Sequence, residues 1–160
     1  MWSVEAVFVC ALSLLARSEQ SFPPVRFVEH APAGASRFVG GYVPSGEARI
    51  VLVTSTAAFT EARQALDPCA NLDAIREIAS VLMHEEWHVR HGADEEGAYD
   101  TQLTTLVYLG ARQDGSLYHK VKQAKLAVTA TSRRVSRAGM MARGAGSDLD
   151  ASSIGAPPSR

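Results

Sequence analysis

Residues 71–99 read NLDAIREIASVLMHEEWHVRHGADEEGAY, and the spacing within this stretch decides how the rest of the chain is read. Ile75, Ile78, Ala79 and Leu82 recur every three or four residues, the period at which side chains share one face of an α-helix. Asn71 or Asp73 can cap the start of this helix, which runs to about Arg90, and Gly92 is placed to stop it. Asp94 can cap a second helix in which Tyr99, Leu103, Leu106, Val107 and Gly110 share a face. Glu95 and Glu96 fall in its first turn, where negative charge complements the helix dipole.

The first of these helices carries His84-Glu85-Glu86-Trp87-His88, an H-E-x-x-H sequence. Histidines four apart project from one face a turn apart, so both imidazoles can reach one divalent ion at about 2.0–2.1 Å. Glu85 stands next to the first of them and can take a proton from water whose pKa a bound zinc lowers to about 7. A catalytic zinc needs a third protein ligand. His91, Asp94, Glu95 and Glu96 are the nearby candidates. His91 is three residues past His88 on the same helix, too close to complete a tetrahedron without distorting it, and Asp94 reads as a helix cap. Glu95 and Glu96 begin a helix that must fold back after Gly92, which leaves one of this pair as the third ligand. Against this stands the plain reading of histidines and Glu85-Glu86 as solvated groups on an amphipathic helix, and of Glu95 as a helix-dipole acid.

The run from His84 to Tyr99 resembles the zincin-type metallopeptidases, most closely small gluzincin-like bacterial proteins with an H-E-x-x-H-x-x-H-G-x-x-E-x-x-A-Y arrangement. The resemblance implies metal ligands at His84, His88 and Glu95, a catalytic base at Glu85, and zinc (Zn2+) as cofactor. It implies a peptide or protein substrate cut at an amide bond, with Glu85 passing the proton to the leaving amine. An alternative alignment shifts by one residue, pairing Glu96 as ligand with Asp100 as the aspartate that orients a ligand histidine. Glu95 is preferred because Tyr99 and Gln102 then line the same helical face at four and seven residues and can offer polar groups to the site. The ligand spacing is shorter than in full-size peptidases. A non-catalytic metal-binding or protein-interaction module on the same fold is the alternative function.

Upstream, residues 25–29, 38–43 and 49–54 are short, rich in Val, Phe, Tyr and Ile, and separated by Pro, Gly, Ala and Ser, which reads as strands joined by turns. Pro44-Ser45-Gly46 suggests a hairpin between the second and third. Ile50 to Val53 lacks alternation, so both faces of that strand should be covered. Residues 59–66 read as a short helix ended near Asp67-Pro68. The expected fold is α+β: a minimal zincin-like domain with a small mixed sheet packed against the H-E-x-x-H helix and the ligand-bearing helix after it.

Residues 1–20 are read as an apolar N-terminal helix or a signal segment, 21–111 as the catalytic core, 112–132 as a basic C-terminal helix and 133–160 as a disordered tail. Residues 4–15 are apolar but lack a preceding Lys or Arg and a following A-x-A site, and they are too short to span a bilayer, so a buried helix is favoured and a cytoplasmic location with it. Secretion would follow only if residues 1–20 act as a signal. Cys10 and Cys69 are too few and too far apart to imply a disulfide framework or a cysteine-rich zinc module.

The 160 residues, 46% hydrophobic and 21% charged, describe a globular chain that needs neither metal nor disulfide to fold. A net charge of -1 argues against a generally basic nucleic-acid binder. Charge is unevenly spread, with nine basic and three acidic residues from Arg112 onward. Lys120, Lys122, Lys125, Arg133, Arg134 and Arg137 could meet nucleic acid or an anionic membrane, but with Val121, Ala124, Leu126 and Val128 among them they read at least as well as a helix packed on the acidic body. Trp87 and Tyr108 are expected to be packing groups, and His30 and His119 to have no role in the site.

Overall fold

The structure, a computed structural model, describes residues 1–33 and 40–144, with side chains through residue 131. Helix α1 (Val4–Leu14) begins where the Ser3 hydroxyl accepts from the Ala6 amide at 3.1 Å. Its Val7, Phe8, Cys10, Ala11 and Leu12 are buried, so the apolar N-terminal segment is part of the core of this fold. A turn of 3₁₀ helix (Glu19–Ser21) leads to β1 (Val25–Val28), and then come β2 (Gly41–Tyr42) and β3 (Ile50–Val53). The strands form a mixed sheet in the order β1-β3-β2, with β1 parallel and β2 antiparallel to β3. All four residues of central β3 are buried, as its unalternating sequence requires. The β2–β3 hairpin turns through Pro44-Ser45-Gly46, but β2 is shorter than expected, and residues 38–39 lie outside the described residues.

Thr56 caps α2 (Ala57–Gln64) by accepting from the Phe59 amide, so this helix starts two residues earlier than its apolar pattern suggested. Helix α3 (Leu72–His91) starts at Asn71, whose side chain accepts from the Ala74 amide at 3.2 Å, while Asp73 pairs with Arg76. Ile75, Ile78, Ala79 and Leu82 face the core shared with α1, α2 and β3, each larger side chain contributing about 1.5–3 kcal/mol. Gly92 ends α3 at φ 73°, a left-handed value that glycine adopts without a Cβ penalty, and the chain reverses into α4 (Glu95–Tyr108). Asp94 caps α4, accepting from the Gly97 amide at 3.1 Å.

Helix α4 corrects its expected face. Ala98, Gln102, Thr105 and Leu106 are buried, whereas Val107 and Gly110 are exposed and Tyr108, expected to pack, is 78% exposed. The helix lies between α3 and α5 (Ser116–Gly144), and that packing rotates its inner stripe by about one residue. Helix α5 extends past residue 131 to Gly144, into part of the stretch expected to lack structure; Ala, Arg and Met there are good helix formers. The expectation for residues 145–160 falls outside the described residues. Lys120 pairs with Glu77 at 2.6 Å and Lys125 pairs with Asp100, so two of the helix's cations are committed to the acidic body. Cys10 and Cys69, 59 residues apart, are joined in a disulfide with a Cα–Cα separation of 5.3 Å. Two lone cysteines do not announce such a link, because it depends on α1 docking beside the loop before α3. No helix among the described residues is long and apolar enough to cross a membrane.

Candidate metal centre

The four-residue spacing on α3 brings the His84 and His88 rings to 4.9 Å between centroids, with their Nε2 atoms 3.1 Å apart. Gly92 then turns the chain back so that the first residue of α4, Glu95, lies over both: Oε2 is 3.7 Å from His84 Nε2 and Oε1 is 3.6 Å from His88 Nε2. One ligand atom from each of the three falls within 4.8 Å of the others. Ligands held at 2.0–2.1 Å in a tetrahedron stand about 3.4 Å apart, so these separations suit a single small cation.

The remaining candidates go elsewhere. Glu96 is exposed and outside the cluster. His91 is exposed, stacked on Trp87 with 3.9 Å between centroids. Asp94 is the cap of α4, and Asp100 pairs with Lys125, so the Glu96–Asp100 alternative is not assembled. Tyr99 presents its ring edge-to-face to His84 at 4.6 Å.

The outer nitrogens of both histidines meet oxygen atoms. His88 Nδ1 donates to the Gly92 carbonyl at 2.7 Å, and His84 Nδ1 lies 3.1 Å from Gln102 Oε1. A carbonyl only accepts, so both protons sit on Nδ1 and both Nε2 atoms turn lone pairs toward the same point. Neutral imidazoles cannot hydrogen-bond to one another in that arrangement; a cation or an added proton must lie between them. Without a metal the proton serves. The adjoining Glu95 carboxylate raises the His88 pKa to about 9, with help from the Gly92 carbonyl. Burial, then the charge on His88, lowers that of His84 to about 4. The pairing with His88 holds Glu95 below the usual carboxylate range.

Glu85 is buried, and burial raises its pKa to about 8 against the opposing pull of His88. It borders a groove of about 1020 Å³ that also exposes His84, His88 and Glu95, walled by β2 and its turn on one side and by Val121 and Ala124 of α5 on another. A Cβ on Gly41 would stand 3.0 Å from Glu85 Cγ, so a larger residue there would have to push the acid's side chain aside by a few tenths of an ångström. The neighbouring Glu86 is no solvated charge: it is buried and paired with Arg17 at 3.0 Å and Arg90 at 2.6 Å, tying the segment after α1 to α3. Sequence reasoning missed Ser80, four residues before His84 on the same face and fully buried; a lone hydroxyl in an apolar stripe one turn from His84 was the available signal.

No family model, curated protein or solved structure matches this chain.

Proposed function

We propose that this chain is a zinc-dependent metallopeptidase whose metal is held by His84, His88 and Glu95 and whose general base is Glu85. The observation that carries the reading is the pair of inward-facing Nε2 atoms 3.1 Å apart, closed over by a carboxylate from the next helix. Two imidazoles and one carboxylate are a donor set suited to zinc. When bound, the ion would polarise a substrate carbonyl and acidify a water.

Three protein ligands facing an open groove favour catalysis over a structural role, since structural zinc is closed by four. Burial disfavours the charged form of Glu85, and a nearby divalent cation restores it, so the base forms where the ion is. The groove suits an extended peptide. Strand β2 is at the sheet edge, and the Val53 amide bonds to the Gly40 carbonyl at 3.0 Å, which makes Gly41 and Leu52 the non-hydrogen-bonded pair. The Gly41 amide and carbonyl thus point away from β3, where they can pair with a peptide added as a further strand.

Elemental analysis should find about one zinc per chain, lost in His84→Ala and His88→Ala. Glu85→Gln should keep the zinc and lower peptide hydrolysis by about 10²–10⁴-fold, the span usual for a general base. A metal-free wild-type protein sinks the proposal. Zinc binding with no hydrolysis of any peptide in a diverse library leaves the non-catalytic metal-binding module.

A further inference from the structure

We propose that Gln102 is the positioning residue of this centre, and that a chain of neutral groups running from a main-chain carbonyl through Ser80 and Gln102 decides which nitrogen of His84 faces the cation. The chain has one direction. The Glu77 carbonyl can only accept, so the Ser80 hydroxyl, 2.8 Å away, donates to it. With its one proton committed, Ser80 Oγ can only accept, and Gln102 Nε2 donates to it at 3.3 Å. The amide is thereby turned so that Oε1 faces His84 Nδ1 at 3.1 Å. An amide oxygen accepts, so Nδ1 bears the proton and Nε2 the lone pair. Turning the amide over would set Oε1 against an oxygen with no proton to give. Ser80 is fully buried and Gln102 is 6% exposed, so water does not relieve that mismatch.

The amide differs from a carboxylate in the same place. A carboxylate would hold the same tautomer, but it would make the imidazole a stronger donor and would leave Ser80 without a donor of its own. The inference that this orientation serves metal binding rests on the metal reading. The tautomer itself exists with or without an ion, which lets the two be tested apart.

The test is long-range 15N–1H correlation of the histidine rings in zinc-free protein at pH 10, where His88 has shed the proton that otherwise occupies the His84 Nε2 lone pair, alongside zinc affinity at neutral pH by competition with a chromophoric chelator. The wild-type protein should show His84 protonated on Nδ1. Gln102→Leu, which keeps bulk and removes the acceptor, should move the proton toward Nε2 and weaken zinc about 10–100-fold. Gln102→Glu should restore both the Nδ1 proton and the affinity, a rescue that a packing role alone would not produce. Ser80→Ala frees the amide to turn and should give a mixture of tautomers. A wild-type His84 protonated on Nε2 overturns the proposal, as does a wild-type tautomer in Gln102→Leu. If that variant fails to fold, a single unmixed wild-type tautomer in Ser80→Ala overturns it instead. A protein that takes up no zinc yet follows the tautomer pattern upholds Gln102 in setting the tautomer, while the metal proposal and the purpose assigned to that orientation fall.

Discussion

Glu95 and Glu96 are neighbours of the same type, yet only Glu95 reaches the two imidazoles. Glu95→Gln should weaken zinc binding at least tenfold, because it removes the anionic ligand, while Glu96→Gln should leave it within about twofold. Calorimetric titration of both variants checks this, and equal affinities would remove Glu95 from the centre. His88 and Glu85 set a pH dependence for the zinc-free protein. In the fold His88 keeps its proton to about pH 9 and Glu85 to about pH 8, against ordinary values of 6.5 and 4.5. Between pH 6.5 and 9 the folded chain therefore binds more protons than the unfolded one, and stability falls as pH rises. His84, lowered to about 4, is neutral throughout this window and subtracts stability only below about pH 6.5. Thermal melts without metal should show Tm decreasing from pH 6.5 to 9, and saturating zinc should reverse the trend by replacing the protons. A metal-free Tm that climbs over this range contradicts the assignment.

At the scale of elements, the centre depends on how closely α4 approaches α3. Gly97 is the contact point: a Cβ there would meet the Trp87 ring at 2.6 and 2.7 Å. Helix propensity alone favours alanine at this position by about 1 kcal/mol, but overpacking against an indole costs about 1–3 kcal/mol. The clash should win. Gly97→Ala is expected to lower Tm and, because Glu95 lies only two residues away, to weaken zinc binding as well. A stabilised Gly97→Ala variant would show that the two helices can separate without consequence. This dependence explains why the carboxylate that meets the two imidazoles was legible only as a pair of candidates. The histidines share one helix, whose geometry fixes their relation, whereas the azimuth of α4 is set by its packing between α3 and α5. The same packing turned Gln102 and Thr105 inward and left Val107 and Tyr108 exposed, against the hydrophobic pattern.

Across the whole molecule, the segment just after α1 is tied to α3 by the Glu86–Arg17 pair, and α1 itself is joined to the loop before α3 by the Cys10–Cys69 disulfide. Closing a loop of 59 residues restricts the unfolded chain, and removing the link should cost about 2–4 kcal/mol. The Cys10→Ser/Cys69→Ser double variant, compared with wild type by urea denaturation, should shift the midpoint down accordingly. Zinc affinity should change little, since neither cysteine touches the centre. An unshifted midpoint would mean that core packing alone holds α1.

Local periodicity determined much of this protein: the helix Leu72–His91 between its Asn71 and Gly92 caps, the shared face of His84 and His88 with Glu85 beside them, the covered strand at Ile50 to Val53 and the hairpin before it. Those features depend on bonds and spacings within a few residues, which a linear pattern records. Tertiary structure alone chose Glu95 over Glu96, brought Cys10 to Cys69, buried Glu86 and linked Ser80 to His84 through Gln102. Each of these joins groups from separate elements, and their meeting is governed by how helices rotate and dock when they bury apolar surface together, a collective outcome that no single segment encodes.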